Sequence, residues 1–142
     1  MKALLDVNVL VALFDPMHEH HAAAFGWWTA NRDQGWATCP LTQNGFVRVI
    51  SSASYPRPLR LADAVALLQA QVSQPGHVFW PDDVALVDTA YFDHHHLRGP
   101  SQITDAYLLA LAIHHGGRLV TFDRAISLQV VRSARTEQLV VL

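Results

Sequence analysis

Short, continuous apolar runs recur along the chain and are separated by longer amphipathic segments. The runs lack polar alternation, which is typical of strands buried on both faces of a parallel sheet. They cover residues 2–7, 36–39, 77–80, 119–123 and 138–142. Apolar residues at helical spacing predict helices over residues 8–14, 18–32, 42–51, 61–74, 82–93 and 104–115. Strands that alternate with helices indicate βαβ units and an α/β fold with a parallel sheet.

Local signals mark where some of these helices begin and end. Thr42 and Thr104 stand at the predicted starts of their helices, where a threonine hydroxyl can cap the first turn. A Gly-Gly pair at 116–117 follows the helix over 104–115, which carries the strongest helical pattern in the chain.

Three aspartates stand where a parallel sheet would bring them together. Asp6 ends the first strand, Asp123 ends the strand over 119–123, and Asp105 opens the strongest helix. The carboxyl ends of parallel strands form the crevice in which ligands bind. We therefore expect Asp6 and Asp123 to meet at one edge of the sheet, with Asp105 beside them. Taken singly, each aspartate can also be only a turn former or a helix cap.

Such a group of carboxylates needs a positive partner, because like charges at short range repel one another. The chain has a single lysine, Lys2, and scattered arginines, so a divalent cation is the simpler counter-charge. Ligand sets made only of oxygen suit Mg²⁺ or Mn²⁺ rather than Zn²⁺. Mg²⁺ usually keeps several waters, one of which can act as a nucleophile. The predicted reaction class is metal-assisted hydrolysis of a phosphodiester.

Composition narrows the class of protein. The 142 residues are 51% hydrophobic and 15% charged, which predicts one folded domain and excludes a disordered chain. Because charge is scarce, we expect a partner to cover part of the apolar surface.

The net charge of −2 is no strong signal for nucleic acid. The single cysteine, Cys39, excludes a disulfide framework and favours a cytoplasmic protein. No apolar run approaches the ~20 residues of a membrane helix.

Four motifs follow one another over nearly the whole chain: DVNVL at 6–10, TQNGFVRV at 42–49, QITDAYLLALA at 102–112 and LVTFD at 119–123. Together they resemble the PIN-domain ribonucleases and, more closely, the VapC toxins of bacterial toxin–antitoxin pairs. Each motif alone is weak, whereas the four in this order are specific.

The resemblance implies a three-layer α/β/α sandwich around a central, mainly parallel sheet, with residues 1–142 as a single PIN domain. It also implies a Mg²⁺- or Mn²⁺-dependent endoribonuclease that acts on RNA, works as a homodimer and is inhibited by a small VapB-like antitoxin. Matched by motif, Asp6, Asp105 and Asp123 would be the catalytic, metal-binding residues. Asn8 and Thr121 would be supporting polar groups that orient the carboxylates or a bound water.

One position departs from the family pattern. The family usually carries a glutamate where this chain has Gln43. Gln43 is a candidate catalytic residue that binds metal or water through its neutral carbonyl. Because the site then has less negative charge, we expect one well-held metal and a weak or absent second. The alternative is a catalytically weakened module that binds RNA or antitoxin without efficient cleavage.

Other polar groups have two interpretations each. Arg48, Arg57 and Arg60 flank the loop after the third helix, and they are either contacts to RNA phosphates or ordinary surface residues. Histidines are grouped at 18–21, 94–96 and 114–115. We interpret these groups as solvated surface; the first also lacks the i, i+4 spacing of helical metal ligands.

Receivers and phosphatases also place aspartates at strand ends. A receiver needs a lysine near its acids, whereas Lys2 stands at the opposite end of the first strand from Asp6. The phosphatases of similar layout begin with Asp-x-Asp, whereas this chain has Asn8 at the third position. Both classes are disfavoured.

Overall fold

The computed structural model describes residues 1–142 and is built on a five-stranded sheet in which every pair of neighbouring strands is parallel. The strands are β1 (Ala3–Leu5), β2 (Trp36–Thr38), β3 (His77–Phe79), β4 (Arg118–Thr121) and β5 (Leu139–Val141). Their order across the sheet is β3-β2-β1-β4-β5, so β1 and β4 are neighbours. The register sets Leu4 of β1 between Ala37 and Leu119.

Helices cover both faces of the sheet. They are α1 (Val7–Phe14), α2 (His21–Asn31), α3 (Pro40–Ile50), α4 (Leu61–Val72) and α5 (Ile103–His114). The first four pack on one face, and α5 packs on the other together with the segments that follow β3 and β4. The predicted three-layer α/β/α sandwich with a parallel central sheet is confirmed. No helix is both long enough and apolar enough to cross a membrane.

Alternate residues of the central strands belong to two separate cores. Leu4 and Leu119 pack in the core under α5, whereas Leu5 and Val120 pack in the core under α1–α4. All four side chains are fully buried. Burial on both faces of the sheet is the physical reason why the strand sequences show no polar alternation.

Helices α1 and α3 approach each other closely at Gly45. A Cβ atom at position 45 would lie 2.5 Å from Val7 Cγ2, at the start of α1. A larger residue therefore cannot fit unless one of the helices shifts. Glycine here lets α3 pack against the turn that directly follows Asp6.

Residues 82–93, which the pattern predicts as a helix, form turns instead. The Oδ1 atom of Asp88 accepts from the Ala90 N–H at 2.8 Å, and its backbone carbonyl accepts from the Phe92 N–H. A side chain that binds the backbone two residues ahead competes with helical hydrogen bonding. The apolar residues that produced the helical pattern are nevertheless buried: Val84 and Phe92 both belong to the core under α5.

Two predicted helix caps are wrong in position. Helix α3 begins at Pro40, because the fixed φ of proline suits the first helical position. Thr42 is therefore the third residue of the helix, and its Oγ1 accepts from the Cys39 N–H at 2.9 Å. Helix α5 begins at Ile103, so Thr104 lies inside its first turn and no side chain caps it.

Candidate active site

The aspartates lie near the carboxyl ends of β1 and β4, between which the order of the strands across the sheet changes direction. From β1 the chain continues to β2 and β3 on one side of the sheet, whereas β4 and β5 lie on the other side. In open parallel sheets, the crevice at the carboxyl ends of the two strands at this point is the usual ligand site. Asp6 directly follows β1, and Asp123 stands two residues after the end of β4.

Asp6 is held in a fixed orientation by two donors. Its Oδ2 accepts from the Thr121 hydroxyl at 2.7 Å, and its Oδ1 accepts from the Val7 N–H at 2.7 Å, which caps α1. The residue is only 6% exposed. Burial raises the pKa of Asp6, the two hydrogen bonds lower it, and the charge of Asp123 raises it further, with a net upward shift.

Thr121 joins the groups that follow the two central strands. Besides donating to Asp6, its Oγ1 accepts from the Asp123 N–H at 3.0 Å. Asn8 Nδ2 lies 3.5 Å from the same oxygen, and Asn8 Oδ1 accepts from the Phe122 N–H at 3.3 Å. Of the two residues expected to support the aspartates, Thr121 contacts both Asp6 and the Asp123 backbone, whereas Asn8 reaches them only through Thr121 and the Phe122 backbone.

Asp105 reaches the same place from the first turn of α5. It is half-buried, and its carboxyl is close enough to that of Asp123 for a hydrogen bond when one of the two is protonated. Burial, this hydrogen bond and the charges of Asp6 and Asp123 raise the pKa of Asp105 to about 7. The structure therefore brings Asp6, Asp105 and Asp123 together, although their catalytic role stays a prediction.

No basic side chain neutralises this group. The ion pairs of the chain use other acids: Asp15, Glu19, Asp83, Asp93 and Glu137. Burial raises the pKa values of Asp6 and Asp105, and the uncompensated negative charge of their neighbours raises both further. The donors are all carboxylate oxygens, the ligand type that Mg²⁺ and Mn²⁺ prefer. The residues present fit a hard divalent cation.

A cleft of about 340 Å³ opens beside Asp6 and Asp105 and is also lined by Asn8, His18 and Tyr55. His18 Nδ1 accepts from the His20 N–H at 3.0 Å, which leaves Nε2 as the donor of a neutral ring. His18, which the sequence places on the solvated surface, is half-buried and forms part of the wall of the cleft. The sequence feature that indicates this position of His18 is the Asp-Pro pair at 15–16, which turns the chain after α1.

Gln43 is bound to β2 rather than to the aspartates. Its Nε2 donates to Thr38 Oγ1 at 3.0 Å, and the same hydroxyl lies 2.8 Å from His77 Nε2. No hydrogen bond joins Gln43 to Asp6, and Gln43 does not line the cleft. The catalytic assignment of Gln43 stays a prediction.

The three arginine candidates differ in their surroundings. Arg57 lies 3.5 Å from Asp15 Oδ2, so its charge is already paired. Arg48 and Arg60 are exposed and form no ion pair. Arg60 precedes α4, whereas Arg48 lies in the last turn of α3.

Comparison with known proteins identifies the family. The PIN domain family matches residues 3–129. Ribonuclease VapC44 of Mycobacterium tuberculosis is 49% identical over 142 residues, which is 100% of both chains. Ribonuclease VapC39 of the same organism is 48% identical over 128 residues, or 89% of this chain and 92% of the relative.

A solved structure shares the fold. The crystal structure of VapBC2 from Rickettsia felis, bound to a DNA fragment from their promoter, aligns with a TM-score of 0.60 at 12% identity. The alignment covers 88% of this chain and 90% of that one. Given the family match and the relatives that are nearly half identical over its length, the chain belongs to the PIN-domain family and, within it, to the VapC group.

Proposed function

We propose that this protein is a metal-dependent endoribonuclease toxin, which hydrolyses internal phosphodiester bonds of RNA. The observation that carries the proposal is the group of three aspartates at the carboxyl edge of β1 and β4, none of which is paired with a basic side chain. The relatives named Ribonuclease VapC44 and Ribonuclease VapC39 supply the substrate class, which is RNA.

Asp6, Asp105 and Asp123 would hold the ion, either Mg²⁺ or Mn²⁺. When bound, such an ion supplies positive charge beside the scissile phosphate and lowers the pKa of a coordinated water. In the hydrolysis, the oxygen of water bonds to phosphorus, the bond from phosphorus to the 3′ oxygen breaks, and a proton passes to that leaving oxygen. The products carry a 5′-phosphate and a 3′-hydroxyl.

The chain's own residues prepare this site in two ways. Thr121 and Val7 each donate to a different oxygen of Asp6, so the carboxylate cannot rotate and its remaining lone pairs have fixed directions. Burial and the neighbouring carboxylates raise the pKa of Asp105 to about 7, so near neutral pH it keeps its proton in part of the molecules while no cation is present. This proton keeps the metal-free site from carrying three full negative charges, and Asp105 releases it when a cation binds.

RNA would lie along the cleft lined by His18 and Asn8. The neutral His18 ring offers its Nε2–H to a phosphate oxygen. Arg48 and Arg60 are free to contact further phosphates, whereas Arg57 would first have to leave Asp15. The small net charge means that a few such contacts, rather than a broad basic surface, hold the substrate.

The test is cleavage of total cellular RNA by the purified, antitoxin-free protein in Mg²⁺, Mn²⁺ or EDTA. We expect cleavage that requires the metal and that is lost in Asp6→Asn. Asp33→Asn is the matched control, because Asp33 is exposed and lies in the turn after α2. Absence of cleavage by the folded protein would favour the non-catalytic binding module. Cleavage that persists in EDTA would contradict the metal-dependent reaction.

A VapB-like antitoxin is the proposed protein partner, and a homodimer is the proposed assembly. Helices α2 and α4 expose large apolar side chains of the kind that partners cover, namely Phe25 (52%), Leu61 (66%) and Val65 (52%). A nearby cavity of about 280 Å³ between α1 and the loop before α4 has mainly apolar walls, including Phe14 and Phe46. A basic antitoxin side chain would also find the uncompensated aspartates.

This partnership is tested by titrating the purified VapB-like antitoxin of the same pair into the cleavage reaction. We expect Phe25→Glu to weaken inhibition while Ala30→Glu, an exposed position on another side of α2, leaves it unchanged. Sedimentation of the free protein tests the homodimer separately. Equal inhibition of both variants would place the antitoxin elsewhere on the surface.

A further inference from the structure

A second group of side chains of the types that bind metals lies far along α5 from the aspartates. His114 is the last residue of α5, His115 follows it, and Asp83 belongs to the turns after β3. His114 lies nine residues after Asp105 in the same helix, which is ~14 Å along the helix axis at 1.5 Å per residue. This group is therefore separate from the proposed nuclease site.

The ligand atoms of the three residues converge. His115 Nε2 lies 2.9 Å from Asp83 Oδ1, and His114 Nε2 lies 3.6 Å from Asp83 Oδ2. One ligand atom from each residue lies within 4.8 Å of the others. Tetrahedral zinc holds its nitrogen and oxygen ligands ~2.0–2.1 Å away, so they lie roughly 3.3 Å from one another. The observed spacing needs only small side-chain movements to meet that geometry.

Neighbouring aromatic groups orient both imidazole rings. The Tyr91 hydroxyl lies 2.7 Å from His114 Nδ1, so its oxygen can accept a hydrogen bond from the Nδ1–H and leave Nε2 free for a metal. Trp80 stacks on His115 with a centroid separation of 4.8 Å and an angle of 9° between the rings. Both Nε2 atoms consequently face the same carboxylate, as metal ligands with supporting contacts do.

We propose that Asp83, His114 and His115 bind a transition metal of the Zn²⁺ class. Two imidazoles and one carboxylate suit Zn²⁺, Ni²⁺ or Co²⁺ and are poorly matched to Mg²⁺. This ligand set therefore selects against the ion proposed for the aspartate site. Asp83 and His114 are exposed, so water completes the coordination. The ion joins the end of α5 to residues 82–93, which have no helix of their own, and stabilises that segment.

Zn²⁺ binding is measured by calorimetry in an Asp6→Asn/Asp105→Asn background, which disables the aspartate site. We expect one Zn²⁺ per chain, with affinity at least tenfold lower after Asp83→Asn or His115→Phe. The phenylalanine keeps a ring against Trp80. His95→Ala is the matched control, because His95 is exposed and forms no hydrogen bond or ion pair, and it should leave affinity unchanged.

Thermal unfolding of the same proteins gives a second measurement. Excess Zn²⁺ should raise the Tm of the background protein and leave that of the Asp83→Asn variant unchanged. Asp83 is exposed, so this substitution leaves the core intact and decides the question even if His115→Phe folds poorly. Absence of Zn²⁺ binding, or equal binding in Asp83→Asn, overturns the proposal and leaves the three residues as ordinary ion pairs.

Discussion

Thr121 donates its hydroxyl proton to Asp6 Oδ2 over 2.7 Å and so ties the end of β4 to the residue that follows β1. The same hydroxyl oxygen accepts from the Asp123 N–H at 3.0 Å. One neutral side chain thus contacts the carboxylate of Asp6 and the backbone of Asp123, and it holds these two residues next to each other.

The Thr121→Val variant keeps the shape of the side chain and removes these hydrogen bonds. We expect the free energy of unfolding to fall by about 1–3 kcal/mol, because Asp6 is left buried without one of its donors. The Mg²⁺ concentration for half-maximal cleavage should rise by about tenfold or more, as the carboxylate loses its fixed orientation. Urea unfolding and a Mg²⁺ titration measure the two effects. Thr121→Ser is the control, and equal losses in both variants would argue against the hydroxyl.

The pKa of Asp105 makes the metal-free protein sensitive to pH. Folding raises this pKa from 3.8 to about 7, so the unfolded chain loses the proton first as pH rises. In EDTA, stability is therefore lost progressively between these two values and changes no further above them. Because the group is half-exposed, solvent screening limits the loss to about 1–2 kcal/mol.

Asp105→Asn removes this titration. Urea unfolding in EDTA at pH 5 and pH 8 should show a smaller loss of stability in the variant than in the wild type. Taking the difference between the two proteins cancels the contribution of the histidines. An identical pH dependence in both proteins would show that Asp105 ionises in the folded state at its ordinary pKa.

Gln43→Glu tests the position that departs from the family pattern. The amide of Gln43 donates to Thr38 Oγ1, whose hydroxyl can then donate to His77 Nε2. A glutamate can only accept, so the Thr38 hydroxyl would turn toward it and His77 would become the donor. We expect the pKa of His77, which burial now lowers, to rise in the variant, as followed by NMR titration of its ring.

The same substitution also tests whether Gln43 belongs to the proposed metal-binding site. If Gln43 belongs to the nuclease site, Gln43→Glu raises Mg²⁺ affinity and cleavage. Asn44→Asp adds an equal charge at the next, exposed position and is the matched control. Calorimetry with Mg²⁺ makes the comparison, and unchanged affinity in Gln43→Glu would place Gln43 outside the site.

Gly45→Ala should be destabilising, since the new methyl would lie 2.5 Å from Val7 Cγ2. We expect a loss of about 1–3 kcal/mol, typical of an overpacked contact. The Val7→Ala substitution should restore part of it. Gly26→Ala is the control: it lies in α2 with nothing within 4 Å, and it should stabilise by up to about 1 kcal/mol. The Tm values of the wild type, Gly45→Ala, Gly45→Ala/Val7→Ala and Gly26→Ala distinguish an overpacked contact from a general effect of alanine in a helix.

The sequence alone predicts the strands and the positions of the aspartates correctly, because a single physical rule determines each of them. Strands buried on both faces must be apolar throughout, and this rule accounts for β1, β2 and β4. The edge strands β3 and β5 are partly exposed, although their sequences are short apolar runs as well. Asp6 and Asp123 follow strands that are neighbours in the sheet, so topology alone predicted their meeting. Asp105 was predicted from its place at the start of a helix that begins at the same edge.

The remaining differences come from packing that a linear pattern does not encode. The contact of Gln43 with Thr38 depends on how α3 is rotated, which the close approach of Gly45 to Val7 determines. The apolar spacing of residues 82–93 is helical, but the Asp88 side chain stabilises turns that bury the same residues differently.

The measurement that tests the central claim most directly is the chemical identity of the RNA ends produced in Mg²⁺. Attack by water with departure of the 3′ oxygen, as proposed for the aspartate site, predicts 5′-phosphate and 3′-hydroxyl ends, with no such products in Asp6→Asn or in EDTA. Fragments with 5′-hydroxyl and 2′,3′-cyclic phosphate ends would mean that the RNA's own 2′-hydroxyl is the nucleophile. That result would contradict metal-assisted hydrolysis by Asp6, Asp105 and Asp123.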